Sequence, residues 1–89
     1  MNVPAPSPLE FPCTLDVKVF GLAEEDFADH VTALIRQHDP HVDRDRVRLQ
    51  PSREGRWVSV TVPVRATSRE HLEALSQTLR DDPRVKASF

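Results

Sequence analysis

Residues 51–66, PSREGRWVSVTVPVRA, hold the chain's only tryptophan and one of its two glycines. Two readings compete for this stretch: a glycine loop that cradles a phosphate, or a turn and strand that build a sheet. From Trp57 onward, Val58, Val60, Val62 and Val64 alternate with Trp57, Ser59, Thr61 and Pro63. That period of two is the signature of a half-buried strand. The loop ahead of it, Ser52 to Arg56, places Gly55 late, where a hairpin needs a residue with positive φ. A phosphate-binding loop requires more glycine, a Lys-Ser/Thr pair and a following helix. Here a strand follows, so the stretch is the turn and second strand of a hairpin.

The first strand of that hairpin is expected over Arg46 to Gln50, with Val47 and Leu49 inward and Arg46 and Arg48 outward. Further upstream, Phe27, Val31, Leu34 and Ile35 recur at helical spacing and predict a helix over Glu24 to His38. Acidic residues fill its first turn and Arg36 and His38 its last, as the helix dipole favours, and Pro40 stops it. Before it, Leu15, Val17 and Val19 alternate with Thr14, Asp16 and Lys18 in a strand from Cys13 to Phe20 that Gly21 ends.

Downstream, Thr67 with Glu70 forms a capping box that opens a second helix buried through Leu72, Leu75 and Leu79. A last strand runs from Arg84 to Phe89 with Val85, Ala87 and Phe89 inward. The order is βαββαβ. It predicts an α+β ferredoxin-like sandwich, a four-stranded antiparallel sheet with two helices on one face. Residues 1–10, with Pro4, Pro6 and Pro8 and no hydrophobic periodicity, are expected to be a flexible arm, and residues 11–89 a single domain.

Composition narrows the function. Eighty-nine residues make one domain, and such a chain buries roughly 60–65% of its unfolded surface. That suffices for one sheet and a helical layer but not for a deep two-lobed cleft. A net charge of −2 argues against a non-specific nucleic-acid binder, which usually carries a basic excess. The single cysteine cannot staple the fold internally, so a reducing compartment suffices. The start, MNVPAPSP, lacks the basic and apolar regions of a signal peptide, and no apolar run reaches the roughly 20 residues that span a bilayer. The expected location is cytoplasmic.

Little in the chain points to catalysis. The stretch from His38 to Asp45, HDPHVDRD, holds metal-ligand types, but on a connection better read as a solvated loop closing a helix. Cys13 has no base or helix N-terminus near it in sequence. No enzyme, cofactor or metal site is therefore expected. The remaining candidate is the sheet face opposite the helices, where parity places Asp16, Lys18, Arg46, Arg48, Trp57, Ser59, Thr61, Pro63, Lys86 and Ser88. RNA-recognition domains share this topology but stack bases on central-strand aromatics. Here the central positions read as aspartate, lysine, serine and threonine, with Trp57 alone at one end. The expected role of this face is protein contact or homodimerisation, with Lys18, Arg46, Arg48, Trp57, Thr61 and Pro63 as the contact residues.

LEFPCTLDVKVFG (residues 9–21), the PS..G turn of residues 51–55, and SVTV (residues 59–62) followed by Ala66-Thr67 resemble the YbeD-like family of small bacterial proteins of unknown function. The resemblance covers nearly the whole chain beyond the arm. It implies a fold similar to ACT regulatory domains, which bind small ligands such as amino acids beside the glycine-containing segment after the first strand, usually at dimer interfaces. Carried onto this chain, that place is Phe20, Gly21 and Leu22. The resemblance thus implies either a regulatory or adaptor domain or a sensor of an amino acid or carboxylate. Glu24, Glu25 and Asp26 at the following helix start would repel an acidic ligand.

Overall fold

In the computed structural model, which describes residues 10–89, the elements follow the expected order. They are β1 (Cys13–Leu22), α1 (Phe27–Arg36), a short 3-10 turn (Arg44–Arg46), β2 (Arg48–Pro51), β3 (Trp57–Ala66), α2 (Arg69–Asp81) and β4 (Ala87–Ser88). The strands form one antiparallel sheet in the order β2-β3-β1-β4. Most of the expected arm, residues 1–9, lies outside the described residues.

β3 and β1 make the centre of the sheet. Their ten-residue register sets Val17 against Val62, Val19 against Val60 and Leu15 against Val64, so the valines of both strands share one side. Phe27, Val31 and Ile35 of α1 and Leu75 and Leu79 of α2 close on that side, and together these residues form the core. The hairpin turn is as expected: Gly55 has φ of +75°, its N–H donates to Ser52 O, and Ser52 and Trp57 close the loop. A Cβ there would meet nothing within 4 Å, so the glycine answers only to its backbone angle.

Several local expectations need correction. β1 runs through Gly21 to Leu22 instead of stopping at Phe20, because pairing with β3 continues to Trp57. α1 is shorter than Glu24 to His38. Its first turn is taken by a Glu24–Phe27 backbone turn, and the cap at Gln37 precedes Pro40, whose predecessor avoids the helical region. The cap of α2 is Ser68, not Thr67: Ser68 Oγ accepts the His71 N–H, while His71 Nδ1 accepts the Thr67 N–H. Histidine thereby supplies the reach-back of a capping box, and such a cap contributes about 1 kcal/mol.

The edge strands differ more. Arg44–Arg46 is a 3-10 turn capped by the Asp43 side chain on Asp45 N–H, so β2 starts only at Arg48 and Arg46 is not a strand residue. Val47 is buried, but Leu49 is 51% exposed: it lies opposite Val60 on the helix side of an edge that the helices do not cover. On the other edge, Ser88 pairs with Val19 and Ala87 with Phe20. Ala87 and Phe89 therefore face the open side, and Ser88 faces the helices, the reverse of the expected parity.

The helix-closing loop uses its polar residues structurally. Asp39 is buried and its carboxylate accepts the N–H groups of His41 and Arg65, tying the loop to β3. His38 Nε2 meets Thr78 Oγ1, and His71 Nε2 donates to His38 O, binding the same loop to α2.

Candidate functional site

The pleat writes the open face as rows across the sheet. Arg48, Thr61 and Lys18 lie side by side on β2, β3 and β1, with Phe89 bonded to Lys18 through the backbone. The next row is Gln50, Ser59, Phe20 and Ala87, and the last is Trp57 with Leu22. Pro63 and Asp16 form a row on the other side.

These rows divide the face in two. Asp16, Lys18, Arg48, Gln50, Ser59 and Thr61 line an open polar depression of about 460 Å³. Within it Arg48 Nη2 donates to Asp16 Oδ2 at 2.9 Å, reaching diagonally across β3. Both side chains are more than half exposed, so the pair contributes little stability, about 0–1 kcal/mol. The apolar side chains of the face run from Phe89 at the β4 edge, in the Lys18 row, to Leu22 and Trp57 in the last row. Leu22 is 42% exposed, Trp57 41% and Phe89 78%, and these are three of the four large hydrophobic side chains exposed among the described residues. Phe20 joins them, meeting the Phe89 ring edge-on at 5.7 Å between centroids.

Of the six residues expected on a contact face, the structure brings together Lys18, Arg48, Trp57, Thr61 and Pro63 on one side of the sheet. Arg46 stands apart on the 3-10 turn, 3.9 Å from Asp43. Lys86 and Ser88 also leave the face: Lys86 Nζ bonds Pro83 O, and Ser88 looks toward the helices. Three residues that sequence reasoning left off this face, Phe20 and Leu22 (named there as a candidate ligand site) and Phe89 (expected inward), supply most of its apolar side chains. The parity that put Asp16 and Lys18 outward reaches Phe20 and Leu22 if β1 is carried through the glycine. Nothing comparable marks Phe89, because β4 is two residues long.

Phe20, Gly21 and Leu22 are strand residues rather than a loop. Gly21 is buried, and the space above its Cα is filled by the protein itself: a Cβ there would lie 2.3 Å from Phe27 Cζ and 2.8 Å from Arg84 O. Its smallness lets Phe27 and the chain before β4 close over the strand.

That closure is clamped by Arg84. Its guanidinium donates twice to Asp26, at 2.7 and 3.2 Å, lies 3.4 Å from Glu24, and sits 5.7 Å from the Phe27 ring centroid. Arg84 Nε is buried without a hydrogen-bond partner among the described residues. The acids crowding the start of α1 are thus answered by a cation from the far end of the chain. Beside it, His30 Nε2 donates to Asp82 Oδ2 at 2.8 Å, and Arg84 N–H donates to Asp82 Oδ1.

The Arg84 hydrogen bond holds the Asp26 carboxyl below its ordinary value, and the same contact raises the Arg84 guanidinium. For Asp82, burial pushes the carboxyl upward, but the bonds from His30 and the Arg84 backbone outweigh it and the net shift is downward. Groups lowered on folding stabilise fully above their unfolded value of 3.8 and lose that contribution as pH falls through the lower folded value. Acid unfolding of Asp82→Asn is therefore expected to be less steep below pH 3.8 than that of the wild type, by melting temperature against pH. Parallel curves would remove Asp82 from the acid response.

A four-stranded antiparallel sheet in the order β2-β3-β1-β4 with both helices on one side defines a ferredoxin-like α+β domain. Its fold is shared by the solution structure of protein HP0495 from H. pylori, with a TM-score of 0.75 at 13% identity over 100% of this chain and 94% of that one. The chain belongs to the DUF493 family, proteins of unknown function, whose pattern matches residues 6–89. Relatives described as UPF0250 proteins include one from Paraburkholderia phytofirmans, 42% identical over 86% of each chain, and one from Azotobacter vinelandii, 45% identical over 94% of this chain and 91% of the other. These bacterial relatives confirm the family resemblance read from the LEFP and PS..G motifs. No helix among the described residues is long and apolar enough to cross a membrane.

Proposed function

We propose that this chain is a cytoplasmic, non-catalytic regulatory or adaptor domain that works by presenting the open face of its sheet to a protein, either a second copy of itself or a separate partner. One observation carries the reading: Leu22, Trp57 and Phe89 are all exposed on the face of the sheet that no helix or strand among the described residues covers. Exposed hydrophobic side chains gathered on one surface mark contact sites more often than scattered ones do. The arrangement resembles an interface, with aromatic anchors alongside the Lys18, Arg48 and Asp16 charges that orient a partner.

A buried tryptophan at such a contact contributes about 2 kcal/mol or more, roughly a 30-fold change in Kd. Trp57→Ala is expected to weaken self-association or partner binding by about that factor while circular dichroism stays native. Thr61→Arg, in the middle of the face, is expected to act in the same direction. Trp57 emission should move to the blue as protein concentration rises or partner is added, because the ring leaves water. Sedimentation showing a monomer at every concentration, with both variants recovering partner as well as the wild type, would rule the face out.

A further inference from the structure

We propose, resting on the reading of this face as a protein contact, that its partner is an acidic extended segment of another protein. A carboxylate of that segment lands between Lys18 and Arg48, and large apolar side chains two and four residues further on lie against Phe20 and then against Trp57 and Leu22.

Charge points to an acidic partner. Among the strand residues that the register turns to the open side, Asp16 is the single acid, against Lys18, Arg48 and Arg65. The face is therefore positive on a chain whose net charge is −2. Lys18 is exposed, and no carboxylate among the described residues lies within ion-pair distance of it. Residues 1–9 hold no Asp or Glu that could answer it. Among the described residues Arg48 is held by Asp16 alone, through one nitrogen at 2.9 Å, with both side chains more than half exposed. Water competes for both ends of such a pair, so it is held loosely. Asp16 stands where a partner's carboxylate would stand, and such a carboxylate can displace it.

Spacing gives the order of the segment. Lys18 and Arg48 flank Thr61 in one row, about 10 Å apart across two strand spacings. A carboxylate over Thr61 is within reach of both long side chains, in the depression of about 460 Å³ that they line. One row on, about 7 Å along the strands, come Phe20 and Ser59, and in the row after them Trp57 and Leu22. An extended chain presents alternate side chains at that same interval. A segment with an acid first and large apolar residues at its third and fifth positions matches these rows in order.

A second copy of this chain fits the face less well. Two copies packed face to face would bring like charge together and bury both Lys18 side chains, while the one acid on each face is already engaged with Arg48. Burying an unpaired charge is costly. Docking this face on a different surface of the next copy would make a head-to-tail contact, which builds rings or filaments in place of a dimer. An acidic segment supplies the missing anion in a closed one-to-one contact.

NMR titration of the full chain with the peptide acetyl-Glu-Thr-Phe-Thr-Leu-amide, and with its Gln analogue, tests the assignment. The Glu peptide should move the backbone amides of Lys18, Phe20, Ser59 and Thr61. At low salt it should bind at least about threefold more tightly than the Gln peptide, the margin of an exposed ion pair. In about 1 M salt the two should bind alike. Lys18→Met should remove the preference for Glu with the fold unchanged. Asp16→Asn releases Arg48 and should tighten the Glu peptide by about threefold, a gain that no loss of stability imitates. Equal binding of the two peptides at low salt would overturn the proposal, as would shifts at helix residues in place of the face. Neither peptide binding, with self-association that Trp57→Ala weakens, would also overturn it: the partner would then be a second copy and the contact reading of the face would stand.

Discussion

Gly21→Ala is expected to destabilise the protein by about 3 kcal/mol, at the upper end of the cost of overpacking a core. The methyl group would stand 2.3 and 2.6 Å from Phe27 Cζ and Cε1 and 2.8 Å from the backbone oxygen of Arg84. The Phe27 ring is 1% exposed and held under the Arg84 guanidinium, and the carbonyl belongs to the chain leading into β4, so neither neighbour can swing away. Gly55→Ala provides the contrast, since it meets only the strain of φ at +75° in open space and should cost about 1 kcal/mol. The mechanism is separable by a double-mutant cycle. Phe27→Leu shortens the side chain that the methyl would strike and alone should cost about 1–2 kcal/mol. Combined with Gly21→Ala, it should cost less than the sum, although the Arg84 carbonyl keeps the rescue partial. Urea midpoints at constant slope measure all four proteins. Strict additivity would show that the ring is not the obstacle.

The two glycines also mark where the fold was legible in sequence and where it was not. Gly55 sits in a five-residue loop beside a ten-residue alternating strand, and local pattern alone assigned both. Gly21 looks like a strand terminator because its reason for being glycine, the Phe27 ring, arrives from the next element. That misreading put Phe20 and Leu22 at a candidate ligand loop and left them off the open face, where β1 places them. Edge strands failed for another reason. β2 and β4 offer four and two residues, too few for alternation to fix parity, and a 3-10 turn consumed the residues expected to start β2. Arg46, Ala87 and Phe89 were misplaced accordingly. The central positions Lys18, Thr61, Trp57 and Arg48 were legible because β3 fixes the parity of both its neighbours. Arg84 was not, since its role depends on meeting Asp26 across fifty-eight positions of chain.

The second large effect is expected at Leu79, where alanine should cost about 3–4 kcal/mol. Among the thirteen residues of α2, only Leu75 and Leu79 are fully buried, each 1% exposed. Apart from half-buried Leu72 and exposed Ala74 the rest of the helix is polar or charged, so its docking rests mainly on two leucines, with the Ser68–His71 cap adding about 1 kcal/mol. Removing one of two anchors leaves a void that Leu75 alone cannot draw the helix in to fill. Leu72 tests this account from the other side. It is half-buried and lines the groove beside β1, where one wall is open, so Leu72→Ala leaves no closed cavity and should cost about 1 kcal/mol. Amide exchange should show the Leu79→Ala loss concentrated in α2, with the β1–β3 pairing still protected, because the two central strands bury their own valines against α1. Equal losses from the two leucine variants would mean that the Leu72 side of the helix is sealed as tightly as the core.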